Sequence, residues 1–226
     1  MTNPYIQSLI ALHQQHADPE KAREMKRYMK GQYEYFGIQA PQRRALLKQF
    51  LAEQGLPPAS ELQSIVRTLW AAPQRELQYV AVELLIRFKK SWTPEWLPLF
   101  ETLITAKSWW DTVDFISSDL VGELFRRFPE QIRPVTARWV DSGNMWLQRT
   151  ALIFQRRYKH QTDRELLFDY CARCAGSKEF FIRKAIGWAL REYAKTDPAA
   201  VVAFVKSHKL SPLSEREAVR RIKGEG

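Results

Sequence analysis

The sequence predicts an all-α protein on three observations. Apolar residues recur at spacings of three and four in segment after segment, as in Leu77, Val80, Ala81, Leu84, Leu85 and Phe88, which is the period of an amphipathic helix. Prolines, and Asp, Asn, Ser or Thr able to cap a first turn, stand ahead of these segments. No stretch shows the convincing period-2 alternation of a half-buried strand.

In order, residues 4–15 and 19–30 read as helices, the second opened by Asp18-Pro19 and closed at Gly31, an N-cap with a pre-set first turn and a C-terminal glycine. The aromatic link Tyr33-Glu34-Tyr35-Phe36-Gly37-Ile38-Gln39 is expected to pack. Pro41 opens a helix through Leu51, Pro57-Pro58 precedes one at 60–71, and Pro73 starts the helix that carries Leu77 to Phe88. Further openings are expected at Thr93-Pro94, Trp109, Phe128-Pro129, Asn144, Thr162-Asp163, Ser177, Asp197-Pro198 and Ser214.

These helices repeat. With Phe88, Phe128, Tyr158 and Tyr193 in register, Arg87, Arg127 and Arg157 align just before them, and Ala81, Val121, Ala151 and Ile186 seven residues earlier. Offsets of about 40, 30 and 35 residues are near those of HEAT-type helix pairs. The expectation is one HEAT-like domain over residues 1–226, a curved helical solenoid whose concave face is lined by the second helix of each pair. Cations fall on the same register, at Arg87, Lys89 and Lys90, at Arg126 and Arg127, at Arg156, Arg157 and Lys159, and at Lys184, Arg191 and Lys195. Locally poor in acids, they suggest a basic concave face tracking a phosphate backbone.

Composition agrees. With 35 Lys+Arg against 25 Asp+Glu the formal charge is +10, a balance that suits polyanion partners. A chain of 226 residues, 45% hydrophobic, can bury a sizeable core in one domain or array. There is no apolar run long enough for a membrane span, and Met1-Thr2-Asn3-Pro4 lacks a basic and apolar leader, so a cytoplasmic monomer acting at the nucleoid is expected. Cys171 and Cys174 form a lone CxxC in a helical segment, read as structural thiols in a reducing compartment rather than a zinc or redox site.

Two helices carry residues that conflict with their core stripes. From Trp109 the stripe is Trp109, Val113, Ile116 and Leu120. Trp110 is off it, beside Asp114 at i,i+4 and near Ser117, so an indole and a carboxylate share the polar face. Over 178–195 the stripe is Ile182, Ile186, Ala189 and Tyr193, which leaves Trp188 among Lys184, Arg191 and Lys195. An indole on a cationic face suits nucleic acid, cations taking phosphates and the ring a sugar or base. In the helix between, Leu147, Ala151, Phe154 and Tyr158 form the stripe and Arg149 is expected to project outward. No HExxH, GxSxG, GxGxxG or P-loop occurs, and His13, His16, His160 and His208 form no catalytic set, so no metal and no cofactor is expected. The candidates are Trp110, Asp114, Arg149 and Trp188.

At these residues the chain resembles the AlkD-type DNA glycosylases, HEAT-like-repeat enzymes that remove alkylated purines. The resemblance runs from Tyr28-Met29-Lys30 and Phe36-Gly37-Ile38-Gln39-Ala40-Pro41 through Lys107-Ser108-Trp109-Trp110-Asp111 and Trp146-Leu147-Gln148-Arg149. It continues through Ser177-Lys178-Glu179-Phe180-Phe181-Ile182, Lys184-Ala185-Ile186-Gly187-Trp188 and Arg191-Glu192-Tyr193-Ala194-Lys195 to Pro212-Leu213-Ser214. It implies a catalytic carboxylate at Asp114, lesion-side indoles at Trp110 and Trp188, and a backbone-contacting arginine at Arg149, with Tyr28 and Gln39 near the DNA. It also implies hydrolysis of the N-glycosidic bond of N3- and N7-alkylpurines such as 3-methyladenine and 7-methylguanine in duplex DNA, with no cofactor and no base pocket. The alternative is a helical-repeat adaptor that binds nucleic acid or protein without catalysis, which leaves an acid among DNA-facing indoles unexplained.

Overall fold

A computed structural model describes residues 3–222; of the opening Met1-Thr2-Asn3-Pro4, the first two lie outside them. The described residues are α-helical with short 3-10 turns, and their only bridge pairing is an isolated one between Glu34 and Gln74. Among the described residues no helix is long and apolar enough to cross a membrane. The chain divides into two compact units, before and after the Ser91–Trp92 junction.

The first unit contains α1 (Pro4–Gln15), α2 (Pro19–Tyr28), α3 (Ala40–Gln54), α4 (Ala59–Ala71) and α5 (Arg75–Arg87). Asp18 caps α2 by accepting from the amides of Glu20 and Lys21, as the Asp-Pro pair predicts. The last of these helices begins two residues beyond the expected Pro73. Its opening residues do something the sequence reading missed: the buried Glu76 carboxylate accepts the amides of Phe36, Gly37 and Ile38 at 2.9–3.1 Å. That triple acceptance closes the aromatic link against α5, and Tyr35, Phe36 and Ile38 are buried. Burial raises the Glu76 pKa, and the three amides oppose the rise. Gly37 sits at φ +91, where a Cβ would lie 2.0 Å from the Asp18 carbonyl oxygen, so only glycine fits.

The second unit runs through α6 (Leu97–Thr105), α7 (Trp110–Phe115), α8 (Gly122–Arg127), α9 (Ile132–Asp141), α10 (Met145–Ile153), α11 (Arg164–Arg173), α12 (Phe180–Tyr193), α13 (Pro198–Ser207) and α14 (Pro212–Ala218). The rod of α7 and α8 is continuous, its middle turn, Ile116–Val121, widened to π geometry. Asn144, Asp163, Asp197 and Ser211 cap the helices that follow them. The helix expected at Ser177 starts at Phe180, with the Ser177 hydroxyl accepting the Glu179 amide ahead of it. Cys171 and Cys174 are buried free thiols on α11 and its C-cap, and burial raises both pKa values.

Helix α10 packs against α6, α7, α9, α11, α12 and the π turn, so the solvent face assumed for it does not exist. Its predicted stripe of Leu147, Ala151, Phe154 and Tyr158 is buried, and so are Arg149 and Thr150. The Thr150 and Ser117 hydroxyls lie 2.9 Å apart and tie α10 to the π turn. Helix α14 lies on α12 through Gly187: a Cβ there would come 2.5 Å from the Glu217 Cβ and 2.9 Å from the Ser214 carbonyl oxygen. Gly187→Ala should therefore lower stability by about 1–3 kcal/mol through overpacking and push Glu217 off α12. Thermal unfolding checks the first effect, and an unchanged midpoint would mean that α14 yields freely.

Candidate active site

Three helix starts meet in the second unit. The Trp109 ring, ahead of α7, lies 6.0 Å from Trp146 at the start of α10 and 5.2 Å from Phe181 at the start of α12, and Trp146 and Phe181 are 5.0 Å apart. Such aromatic pairs contribute about 0.5–1.5 kcal/mol each beyond the area they bury. Trp109 is thus the extended cap of α7, φ −155, rather than the first residue of its core stripe. Val113, Ile116 and Leu120 do form that stripe, all fully buried.

The cluster fixes what stands one turn further along each helix. Asp114 on α7 meets Arg149 on α10 in a two-pronged ion pair, Nε to Oδ1 at 2.6 Å and Nη2 to Oδ2 at 2.8 Å. The third arm, Nη1, donates to the Phe181 carbonyl oxygen at 2.6 Å. Planar fork against carboxylate is the strong form of this interaction. The side chains are 5% and 14% exposed for Arg149 and Asp114. This corrects the outward projection expected of Arg149. Its charge is turned into the protein and fastened to the acid that the sequence had placed on another face.

Around the pair lies a cavity of about 290 Å³ lined by Trp110, Asp114, Arg149, Trp188 and the phenylalanines 180 and 181, with Lys184, Arg191 and Glu217 at its side. Of the candidate residues, Asp114, Trp110, Trp188, Arg149, Lys184 and Arg191 line this one cavity. Phe180 is 58% exposed. Trp188 is half-buried, and the Arg156 guanidinium lies 4.3 Å over its ring, close enough for a cation–π contact. The remaining predicted residues are elsewhere: Lys195 lines a different cavity, and Tyr28, 75% exposed, and the exposed Gln39, which precedes α3, belong to the first unit.

The local shortage of acids around the α12 cations is also corrected. Glu217 of α14 receives Lys184 at 3.0 Å and pairs with Arg191, while Lys195 pairs with Glu192. The hydrogen bond from Lys184, joined by Arg191, holds the Glu217 carboxyl below the ordinary glutamate range. Three cations face two carboxylates in this cavity, leaving one positive charge in excess. Glu217 could not be found from sequence, because its partners lie 26 and 33 residues away. Phe180 and Phe181 stood in the matched runs, but nothing in their spacing marked them as cavity walls.

A carboxylate at the edge of an open cavity, oriented by a buried guanidinium and flanked by two indoles, can stabilise positive charge and orient a water molecule. The family model for DNA alkylation repair enzymes matches residues 9–222. Among solved structures, a predicted DNA alkylation repair enzyme from Enterococcus faecalis is 34% identical, with a TM-score of 0.85, covering 91% of this chain and 96% of its own. No curated protein matches the chain. Both the matched length and the shared architecture lead to one assignment: the chain belongs to the DNA alkylation repair enzyme family.

Proposed function

We propose that the protein is a DNA glycosylase that hydrolyses the N-glycosidic bond of N3- and N7-alkylated purines in duplex DNA. The observation that carries this reading is the Asp114–Arg149 pair in a cavity shared with Trp110 and Trp188. As the bond breaks, its electron pair goes to the base, so a cationic alkylpurine leaves neutral and the sugar takes the positive charge. Asp114 stabilises that charge and orients the water whose oxygen bonds to C1′ and whose proton is released to solvent. The two indoles turn electron-rich faces toward the C–H groups of the deoxyribose, which become positive in the same step. Arg149 acts on the DNA through Asp114, holding its two oxygens in one plane. Lys184 and Arg191 are DNA contacts at the margin, with Lys195, Tyr28 and Gln39 contributing from outside the cavity.

A neutral base leaves only with help from a general acid or a fitted pocket, and the cavity offers neither an unpaired acid nor a histidine. Single-turnover excision of 7-methylguanine should therefore exceed that of uracil at matched sequence by several orders of magnitude. Comparable rates would remove the reading. Binding should be dominated by phosphate contacts, falling about 10³–10⁵-fold between about 50 and 200 mM salt if about 6–10 phosphates are neutralised.

A further inference from the structure

Along its second half, the stripe of α12 predicted to be core keeps Ala189 buried but leaves Tyr193 half-buried. Ala189 and Tyr193 border a cavity of about 520 Å³, which Leu152 and Leu167 also line. Its polar lining is unlike that of the Asp114 cavity: Arg126, Arg156, Arg157, Lys159 and Lys195, against the single acid Glu192, which Lys195 already engages. The two cavities share no lining residue. We propose that this second cavity is a phosphate-binding pocket of nucleotide size.

The arginines are held in place before any ligand arrives. Arg126 donates to the Arg157 carbonyl oxygen at 2.5 Å and covers the Tyr158 ring at 4.5 Å. Arg156 donates from Nε to the Ser118 hydroxyl at 3.0 Å, and Arg157 pairs with Asp119 at 2.6 Å. Among the described residues no carboxylate is within ion-pair distance of Arg156 or Lys159. Burial and the neighbouring Arg157 charge pull the Arg156 pKa down, a cost that an anion would relieve. Lys159 has φ +53, a left-handed backbone that lysine adopts at a cost and glycine adopts freely. A cation is thus kept where the fold alone would prefer glycine.

The volume points beyond a bare phosphate ion. Small-molecule sites span about 300–1,000 Å³ and combine apolar walls with a few convergent polar groups. Here Leu152, Leu167, Ala189 and the Tyr193 ring form the apolar wall, suited to the nucleoside part of a phosphorylated ligand. That ligand is either a free nucleotide or a phosphate-bearing nucleotide of a strand. The pocket shares no lining residue with the Asp114 cavity, and the two meet where Arg156 lies over Trp188.

Titration calorimetry at about 50 mM salt with dGMP, inorganic pyrophosphate and unphosphorylated deoxyguanosine tests the proposal. Both phosphorylated probes should bind and deoxyguanosine should not. Lys159→Gly should weaken binding about tenfold, the loss of one charge-assisted contact, while leaving the unfolding temperature unchanged or higher because the strain is gone. Lys159→Gly with Arg156→Lys should weaken it further. If dGMP displaces duplex DNA, the pocket takes a strand nucleotide; if it leaves duplex affinity unchanged, it takes a free one. No binding of either phosphorylated probe at about 10 mM, or equal affinity in wild type and both variants, would overturn the proposal.

Discussion

Asp114→Asn should slow excision by about 10²–10³-fold, the usual loss when one preorganised electrostatic group is removed from a developing charge. The structure adds a consequence. An asparagine cannot accept both arms of the Arg149 fork, because its amide nitrogen would face a second donor, so a guanidinium that is 5% exposed loses its counter-ion. Breaking one side of a buried pair costs about 3–5 kcal/mol, which for a chain of this size is a fall in Tm on the order of 10 °C. The double variant Asp114→Asn with Arg149→Gln separates the two effects: neutral on both sides, it should recover much of the stability and none of the rate. A single-turnover rate for Asp114→Asn within about threefold of wild type, less than 1 kcal/mol of barrier, would take the carboxylate out of the chemistry.

Arg149→Lys distinguishes two roles for the same residue. A lysine keeps the charge but presents a point where the fork presents a plane, and it cannot serve both Asp114 oxygens and the Phe181 carbonyl together. If Arg149 acts by placing Asp114, kcat should fall about 10²-fold, the scale of a small misplacement, with DNA affinity and its salt dependence nearly unchanged. If it contacts the strand directly, as the resemblance implies, binding weakens instead and the salt slope drops by about one. The committed fork and the burial favour the first result.

What the sequence revealed follows from the range of the forces involved. Helix starts at Asp18, Asn144, Asp163 and Asp197 were legible because a cap contacts amides two or three residues on. The stripes of α7 and α10 were legible because burial imposes the helical period. The same rule misplaced Arg149, because it assumes that the face opposite a core stripe meets water, and α10 is covered on several sides. It also read Tyr193 as core where the ring is half-buried beside the second cavity. Glu76 and Glu217 were missed for one reason: each carboxylate answers partners 26 to 40 residues away, and only the packed chain brings them together. The π turn after Asp114 left no mark in composition or spacing.

Whether this cavity breaks a glycosidic bond is decided by incubating the purified wild-type protein with duplex DNA carrying one 7-methylguanine and following the free base and the strand together. Stoichiometric release of 7-methylguanine is expected, with an abasic site left in an otherwise intact strand and greatly slowed release by Asp114→Asn. Tight binding of the same duplex with neither free base nor abasic site would contradict it and identify a binding protein.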